Sequence, residues 1–310
     1  MESSVAASEW SPLLSTIVIN FRSHDLVNDC LRSLLAGSRQ PDEIVVMDNE
    51  ASGGGLAPEL AADPRVRLSL NEGNPGYAAS CNAGAALATG DTLLFLNADV
   101  TLDRDTLARC EAELVGDPSI GIVTPRLVRP DGEMDHACHR GLPTAVASLA
   151  YKLRVHRLFP SSRRLARYTM AWLDPATDHD VEACSGAFLL ISRELLDAVG
   201  GWDERSRFYG EDLDLCLRVG GAGRRVRYLG SVPSTHLKSA FSHNDTPDRD
   251  LDRSQLEVKR WVQREVIASH RLFFEEHIRP DSAAPTRLAI ELLFGLQSLR
   301  LDAADRLARA

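Results

Sequence analysis

No apolar run in this chain of 310 residues approaches the ~18–20 residues that span a bilayer. Met1 to Pro12 has neither a basic n-region nor an apolar h-region, which predicts that no signal peptide is present. No C-x-x-C pair occurs among the six cysteines (Cys30, Cys81, Cys110, Cys138, Cys184 and Cys216), so reduced, buried thiols in a cytoplasmic protein are expected rather than a disulfide framework or a zinc site. The G-x-G-x-x-G fingerprint is missing, and no Lys-Ser/Thr follows the glycines Gly53 to Gly55, which excludes a phosphate loop there. Ser185 lies in no G-x-S-x-G elbow, which argues against serine hydrolase chemistry. A net charge of −9 argues against nucleic acid as a partner. The last absence is local. Residues 136–173 contain no Asp or Glu, but they hold Arg140, Lys152, Arg154, Arg157, Arg163, Arg164 and Arg167.

What is present reads as an ordinary folded chain, 44% hydrophobic and 25% charged, long enough for one large domain with an extension. Ser15–Asn20, Glu43–Asp48, Val66–Leu70 and Leu93–Leu96 are short β-branched or apolar runs and read as strands. Helical spacing separates them: Leu26 to Leu35 with Asp25 as N-cap, Tyr77 to Ala88, and Thr106 to Val115. Alternating strands and helices predict an α/β fold with a mostly parallel central sheet flanked by helices. Ligands of such sheets bind beyond the carboxyl ends of the strands. Asn20, Asp48-Asn49, Asn71 and Asn97-Ala98-Asp99 are therefore expected on one rim.

Downstream, Ile120–Val123 reads as a strand, Arg126 to Cys138 as a hairpin turning at Pro130-Asp131-Gly132, and Arg225–Leu229 as a strand followed by a loop, Gly230 to Thr235, leading to His236. From Leu251 two helices are expected, the second marked by Leu288, Leu292, Leu296 and Leu299. The predicted organisation is a flexible N-terminus over 1–12, a catalytic domain over 13–240 and a C-terminal helical extension over 241–310. His243 to Arg253 reads as a mobile loop.

The chemistry-bearing residues are individually ambiguous. Asn97-Ala98-Asp99 could place oxygen ligands on a divalent ion bound to a diphosphate, or simply end a strand. Glu211-Asp212 at a helix start could act on a proton, or complement the helix dipole. Asp48-Asn49 could meet a nucleobase or ribose, or cap a turn. His136-Ala137-Cys138-His139 has no second pair at zinc-site spacing and reads as chance.

In order, however, the strings Ile17-Val18-Ile19-Asn20, Val45-Val46-Met47-Asp48-Asn49, Asn71-Glu72-Gly73-Asn74-Pro75-Gly76-Tyr77, Asn82-Ala83-Gly84, Phe95-Leu96-Asn97-Ala98-Asp99, Ser185-Gly186-Ala187-Phe188, Gly200-Gly201-Trp202-Asp203-Glu204 and Tyr209-Gly210-Glu211-Asp212-Leu213-Asp214-Leu215 resemble the inverting family 2 glycosyltransferases of the GT-A fold, in their rhamnosyltransferase-like branch. The resemblance covers about residues 13–240. It implies that Asp212 is the general base that deprotonates an acceptor hydroxyl, with Glu211, Trp202 and Asp203 positioning acceptor and sugar. It implies donor contacts from Asn20, Asp48, Asn49, Asn74, Gly76, Asn82 and Asn97. Asp99, with Asn97 and His236, would hold Mg²⁺ or Mn²⁺ on the leaving diphosphate. Glu50-Ala51-Ser52-Gly53 stands where the family often has Ala-Ser-x-Asp, Asn97 replaces the first acid of the metal motif, and Leu237-Lys238-Ser239 replaces a glycine-rich tail.

The implied donor is dTDP-rhamnose first and a UDP-sugar next, and the implied acceptor is a saccharide, lipid-linked or small-molecule hydroxyl in cell-surface polysaccharide synthesis. A sugar-phosphate nucleotidyltransferase and a non-catalytic nucleotide-sugar-binding protein are the alternatives. The acid-free segment could meet an acceptor diphosphate or the anionic inner face of the cytoplasmic membrane, or be a solvated surface. The C-terminal helices could pack on the domain or pair two copies.

Overall fold

Four apolar runs near the N-terminus become adjacent parallel strands because helices carry the chain back each time. The computed structural model describes residues 12–21, 24–50, 55–238, 246–247 and 250–309. The segment 1–11, most of the Ser52–Gly55 loop and much of the 243–253 loop lie outside the described residues. Strands β1 (Leu14–Asn20), β2 (Glu43–Asp48), β3 (Val66–Leu70) and β4 (Thr92–Asn97) pair in parallel in the order β3-β2-β1-β4. All seven residues of β1 are buried, as expected of a strand covered on both faces. Helix α1 (His24–Ala36) begins two residues earlier than the sequence suggests, so Asp25 lies in its first turn, and a short helix α2 (Pro58–Ala61) joins β2 to β3. Helix α3 (Tyr77–Leu87) is built of small residues, which lets it lie close on the sheet. A Cβ at Gly84 would stand 2.4 Å from Ile17 Cγ2.

Beyond β4 the nine-stranded sheet becomes mixed. Strand β5 (Val100–Leu102) follows directly, then helix α4 (Thr106–Gly116), β6 (Ile120–Val128), helix α5 (Ala145–Lys152), β7 (Asp178–Val181), β8 (Phe188–Ser192), helix α6 (Arg193–Ala198), helix α7 (Glu211–Gly221) and β9 (Arg225–His236). The sheet order is β3-β2-β1-β4-β8-β6-β9-β5, with β7 also on β9. The predicted turn at Asp131-Gly132 is present, with Gly132 at φ 84° and a bridge between Val128 and Met134.

The segment Gly230 to Thr235 is not a loop. Strand β9 runs unbroken to His236, shifting register against β6 between Pro125 and Arg126. Pro233 is tolerated within the strand, and Val232, Ser234 and His236 alternate inward, which is the pattern of a strand. This matters for the site. The antiparallel pairing of β5 with β9 sets Val100 opposite His236, and so brings His236 beside Asp99.

The C-terminal extension contains α8 (Arg253–Phe273), a π-helical turn at Phe274–Ile278 and α9 (Ala284–Arg309). Asp252 and Gln255 form a capping box at the start of α8. Phe274, Ile290 and Phe294 form a second, small core. The leucines that mark α9 in sequence are on its outer side: Leu288, Leu292, Leu296 and Leu299 are 53–65% exposed. The buried face is the one that carries Ile290 and Phe294. All six cysteines are free and buried. Among the described residues, no helix is long and apolar enough to cross a membrane.

Candidate active site

The carboxyl ends of β1, β2 and β4 converge as expected. Asn20 stands opposite Asp48 in the β1–β2 register, and both are buried. Among the described residues, Asn20 Oδ1 has no hydrogen-bond partner, which leaves an orphaned buried acceptor at the strand end. Asn49 Oδ1 accepts from Asn71 Nδ2 at 2.7 Å and Ser80 Oγ at 2.8 Å, which fixes the Asn49 amide. Asn74 Oδ1 accepts from the Gly76 backbone at 3.1 Å, and Gly76, at φ 103°, opens α3. A side chain at Gly76 would press on the Arg207 carbonyl, 3.0 Å from an ideal Cβ. Asn49, Asn74, Tyr77, Asn97 and Asp99 line one cleft, together with Ser185, Gly186 and Ala187. Tyr77 donates to the Gly186 carbonyl at 2.6 Å and so ties α3 to that segment.

At one end of this cleft His236 bridges two carboxylates. Its Nδ1 is 2.9 Å from Asp135 Oδ2, and its Nε2 is 3.3 Å from Asp99 Oδ1. Lys238 pairs with the other oxygen of Asp135. Burial alone would raise Asp135, but the His236 hydrogen bond and the Lys238 charge outweigh it and hold its carboxyl well below the usual range. Burial would likewise lower His236, but hydrogen bonds to Asp135 and Asp99 bring it up to about 9.

This corner could hold a divalent cation in place of the proton that His236 shares with Asp99. One imidazole nitrogen is oriented by a buried carboxylate, and the other converges with a second carboxylate, the usual way a ligand histidine is held. Among the described residues, no three ligating side chains converge on a single point for an ion, so the protein would supply few ligands and leave the rest to phosphate oxygens and water. Asp135 and Lys238 escaped the sequence reading. The first is adjacent to a His-Ala-Cys-His string read as chance, and only β9 brings the second near it.

The opposing wall is the start of α7. Tyr209 and Gly210 both adopt positive φ, 64° and 100°, and turn the chain so that Glu211 and Asp212 line the cleft. Asp212 Oδ1 accepts from the Leu213 backbone at 2.7 Å, and Oδ2 is 2.6 Å from an Arg140 nitrogen. Both partners are buried. Arg140 also donates to the Cys184 carbonyl at 3.2 Å and lies 3.5 Å from the Tyr168 hydroxyl. Arg140 belongs to the acid-free segment; its role as the counter-ion of Asp212 was invisible in sequence, because about seventy residues separate them.

Among the described residues, Glu211 has no cation within salt-bridge distance. Burial, and then the neighbouring Asp212, push its carboxyl up to about 8, and among the described residues its Oε2 lacks a hydrogen-bond partner. The folded-state value thus lies above the ordinary 4.5. Between these values the folded chain holds a proton that the unfolded chain releases, so stability falls as pH rises through that window. Glu211→Gln removes this loss. Its melting temperature is expected to gain on the native chain as pH goes from ~5 to ~9, read by thermal melts across that range. A constant difference at all pH values would show that Glu211 is not held protonated.

Trp202 and Asp203, expected to position acceptor and sugar, and Asn82, expected to contact the donor, stand behind the cleft rather than in it. Trp202 is buried, edge-on to Tyr77 at 5.5 Å and to Phe95 at 5.0 Å. Asn82 exchanges two hydrogen bonds of 2.9 Å with the Trp202 backbone. Asp203 pairs with Arg205, which also reaches Glu276 in the π-helical turn. None of the three is among the residues lining the cleft. The same turn supplies His277, 3.0 Å from Asp214, and Asp214 pairs with Arg218 at 2.6 Å, so the extension grips the helix that carries Asp212.

Comparison with known proteins agrees with this arrangement. A family model described as glycosyl transferase family 2 matches residues 15–200. The chain is 28% identical to the O-antigen biosynthesis protein RfbC of Myxococcus xanthus, over 80% of this chain, but it spans only 19% of that relative's length. It is 24% identical to an N-acetylglucosaminyl-diphospho-decaprenol L-rhamnosyltransferase of Mycobacterium tuberculosis, over 75% of this chain and 78% of that one. Among solved structures, the mannosyltransferase PcManGT of Pyrobaculum calidifontis, in complex with GDP-Man and Mn²⁺, has the same fold. The TM-score is 0.51 at 16% identity, covering 93% of this chain and 81% of that one.

Proposed function

The chain belongs to glycosyl transferase family 2, and from that premise we propose that it transfers a sugar from a nucleotide-sugar donor to an acceptor hydroxyl, with inversion. One observation carries the reading: a cation corner, Asp99 with His236, and an ion-paired carboxylate, Asp212 with Arg140, line the same cleft at the ends of the parallel strands. Asn20, Asp48 and Asn49 present buried polar groups at the donor rim, where a pyrimidine nucleotide would seat. Asn74, Asn97 and the backbone at Gly76 border the diphosphate path. Asp212 accepts the proton of the incoming hydroxyl as its oxygen attacks the anomeric carbon and the bond to the nucleoside diphosphate breaks on the opposite side. Glu211, holding its own proton, donates a hydrogen bond to the sugar or acceptor. A divalent ion bound by Asp99 and His236 would neutralise the departing diphosphate. The rhamnosyltransferase relative favours a deoxysugar donor and a lipid-linked acceptor.

A thermal-shift panel of dTDP- and UDP-sugars, with and without Mn²⁺, tests this. A matching donor at about a hundredfold excess over its Kd stabilises by about 3 kcal/mol. Asp99→Ala and His236→Ala are expected to abolish the Mn²⁺-dependent part of that shift. A shift equal with and without metal in the native chain would remove the cation from the proposal. No shift with any nucleotide sugar would remove the donor.

A further inference from the structure

The acid-free segment forms an excursion whose two ends are pinned beside Asp212. Gly141 donates to the Tyr168 carbonyl at 3.1 Å, and the neighbouring Arg140 lies 3.5 Å from the Tyr168 hydroxyl. Glu182 clamps both ends, accepting from Leu142 at 2.8 Å and from Arg167 at 2.9 Å. Gly141 has no room for a side chain, since a Cβ would stand 2.2 Å from the Arg167 carbonyl. The base of the excursion is thus built into the wall behind the catalytic ion pair.

Its far part is constructed differently. Leu153, Leu158 and Phe159 are 59%, 76% and 52% exposed. They alternate with Arg154, Arg157, Arg163 and Arg164, all exposed. Among the described residues, these four arginines lie within salt-bridge distance of no carboxylate, whereas Arg167 at the base is paired with Glu182. Large apolar side chains displayed singly are common on surfaces. Three within seven residues, set among arginines that meet no carboxylate among the described residues, on a chain of net charge −9, are not explained by solubility.

We infer that residues 153–164 dock the protein on an anionic lipid bilayer, the arginines meeting phosphate headgroups while Leu153, Leu158 and Phe159 enter the boundary with the acyl region. The charge is complementary to such a surface, and the interleaving of apolar and basic side chains is what an interfacial segment requires. A second protein copy would offer no acyl layer for the leucines and phenylalanine. Because both ends of the excursion abut Arg140 and Asp212, docking would bring the acceptor side of the cleft to the membrane surface. That last consequence rests on the proposed function; the docking does not.

The test is flotation of the full chain with vesicles of phosphatidylcholine alone or mixed with phosphatidylglycerol, at low and physiological salt. Binding is expected only with phosphatidylglycerol, and is expected to weaken as salt rises. Replacing Arg157, Arg163 and Arg164 by Gln should weaken it about fivefold per arginine, about a hundredfold together. Leu158→Ser with Phe159→Ser should also release the protein. Melting temperatures check that the variants fold, and if the triple variant melts early, the milder pair R163Q/R164Q carries the test. Absence of flotation at low salt, equal flotation with both vesicles, or unchanged binding by the variants would overturn the inference. So would light scattering that shows a dimer broken by the Leu158 and Phe159 substitutions, which would assign this face to a second copy. Flotation is read without sugar transfer, so failure here leaves the proposed activity standing, and an inactive protein that still floats leaves the docking standing.

Discussion

Asp212→Asn is expected to slow sugar transfer about 10²–10⁴-fold while donor binding survives. Asparagine keeps the shape of the side chain and an oxygen facing Arg140, but it lacks the carboxylate that must take a proton. The resting contacts of Asp212 do not block this role. Oδ1 is held by the Leu213 backbone and Oδ2 by Arg140, yet each carboxylate oxygen has room for a second donor, and the acceptor hydroxyl can be that donor. Glu211 is the rival base in the same cleft. Burial, and then Asp212, push it up to about 8, and among the described residues it pairs with no cation, so near neutral pH it holds its own proton. Glu211→Gln, which keeps a hydrogen-bond donor, should therefore cost far less than Asp212→Asn. Initial rates of nucleoside diphosphate release, with calorimetry for donor affinity, separate the two. Full turnover by the Asp212 variant would take the base role away from it.

Arg140→Met is expected to destabilise the fold by about 3–5 kcal/mol, lowering the melting temperature by roughly 10 °C. The reason is the charge left behind. Arg140 and Asp212 are both buried, and removing the guanidinium leaves a carboxylate with little exposure to water in place of its counter-ion. The double variant R140M/D212L removes both charges together and should recover most of the lost stability, since apolar side chains of similar volume can replace a buried ion pair at little cost. A double-mutant cycle by thermal and denaturant melts measures the coupling. Native-like melting of the single variant would show that the pair does not anchor the cleft wall. Asp212→Asn should share a milder form of the effect, so its kinetics are best measured well below its own melting temperature.

Much of the cleft could be read along the chain, for a physical reason. A parallel sheet buries its strands on both faces, so the apolar runs at Ile17, Val45 and Phe95 stand out, and polar residues can appear only where the strands end. Asn20, Asp48-Asn49 and Asn97-Ala98-Asp99 are those ends, and they do meet. Glu211-Asp212 was legible as an acidic pair at a helix start.

The sequence by itself thus determined the strand ends, the acidic pair and the family to which they belong. Tertiary structure alone decided their partners. His236 reaches Asp99 because β9 continues through Pro233 and pairs with β5, and Asp135 then orients it. Arg140 reaches Asp212 because a long excursion returns beside its own start. Asn82 and Trp202 turn out to brace the cleft from behind, and the periodic leucines of α9 turn outward while Ile290 and Phe294 pack. Periodicity reports that a helix has an apolar face and that a strand is buried. It carries no information about which charge, some seventy residues distant, will share a dry pocket with another, because that is set by how the layers pack and by the cost of leaving either charge there alone.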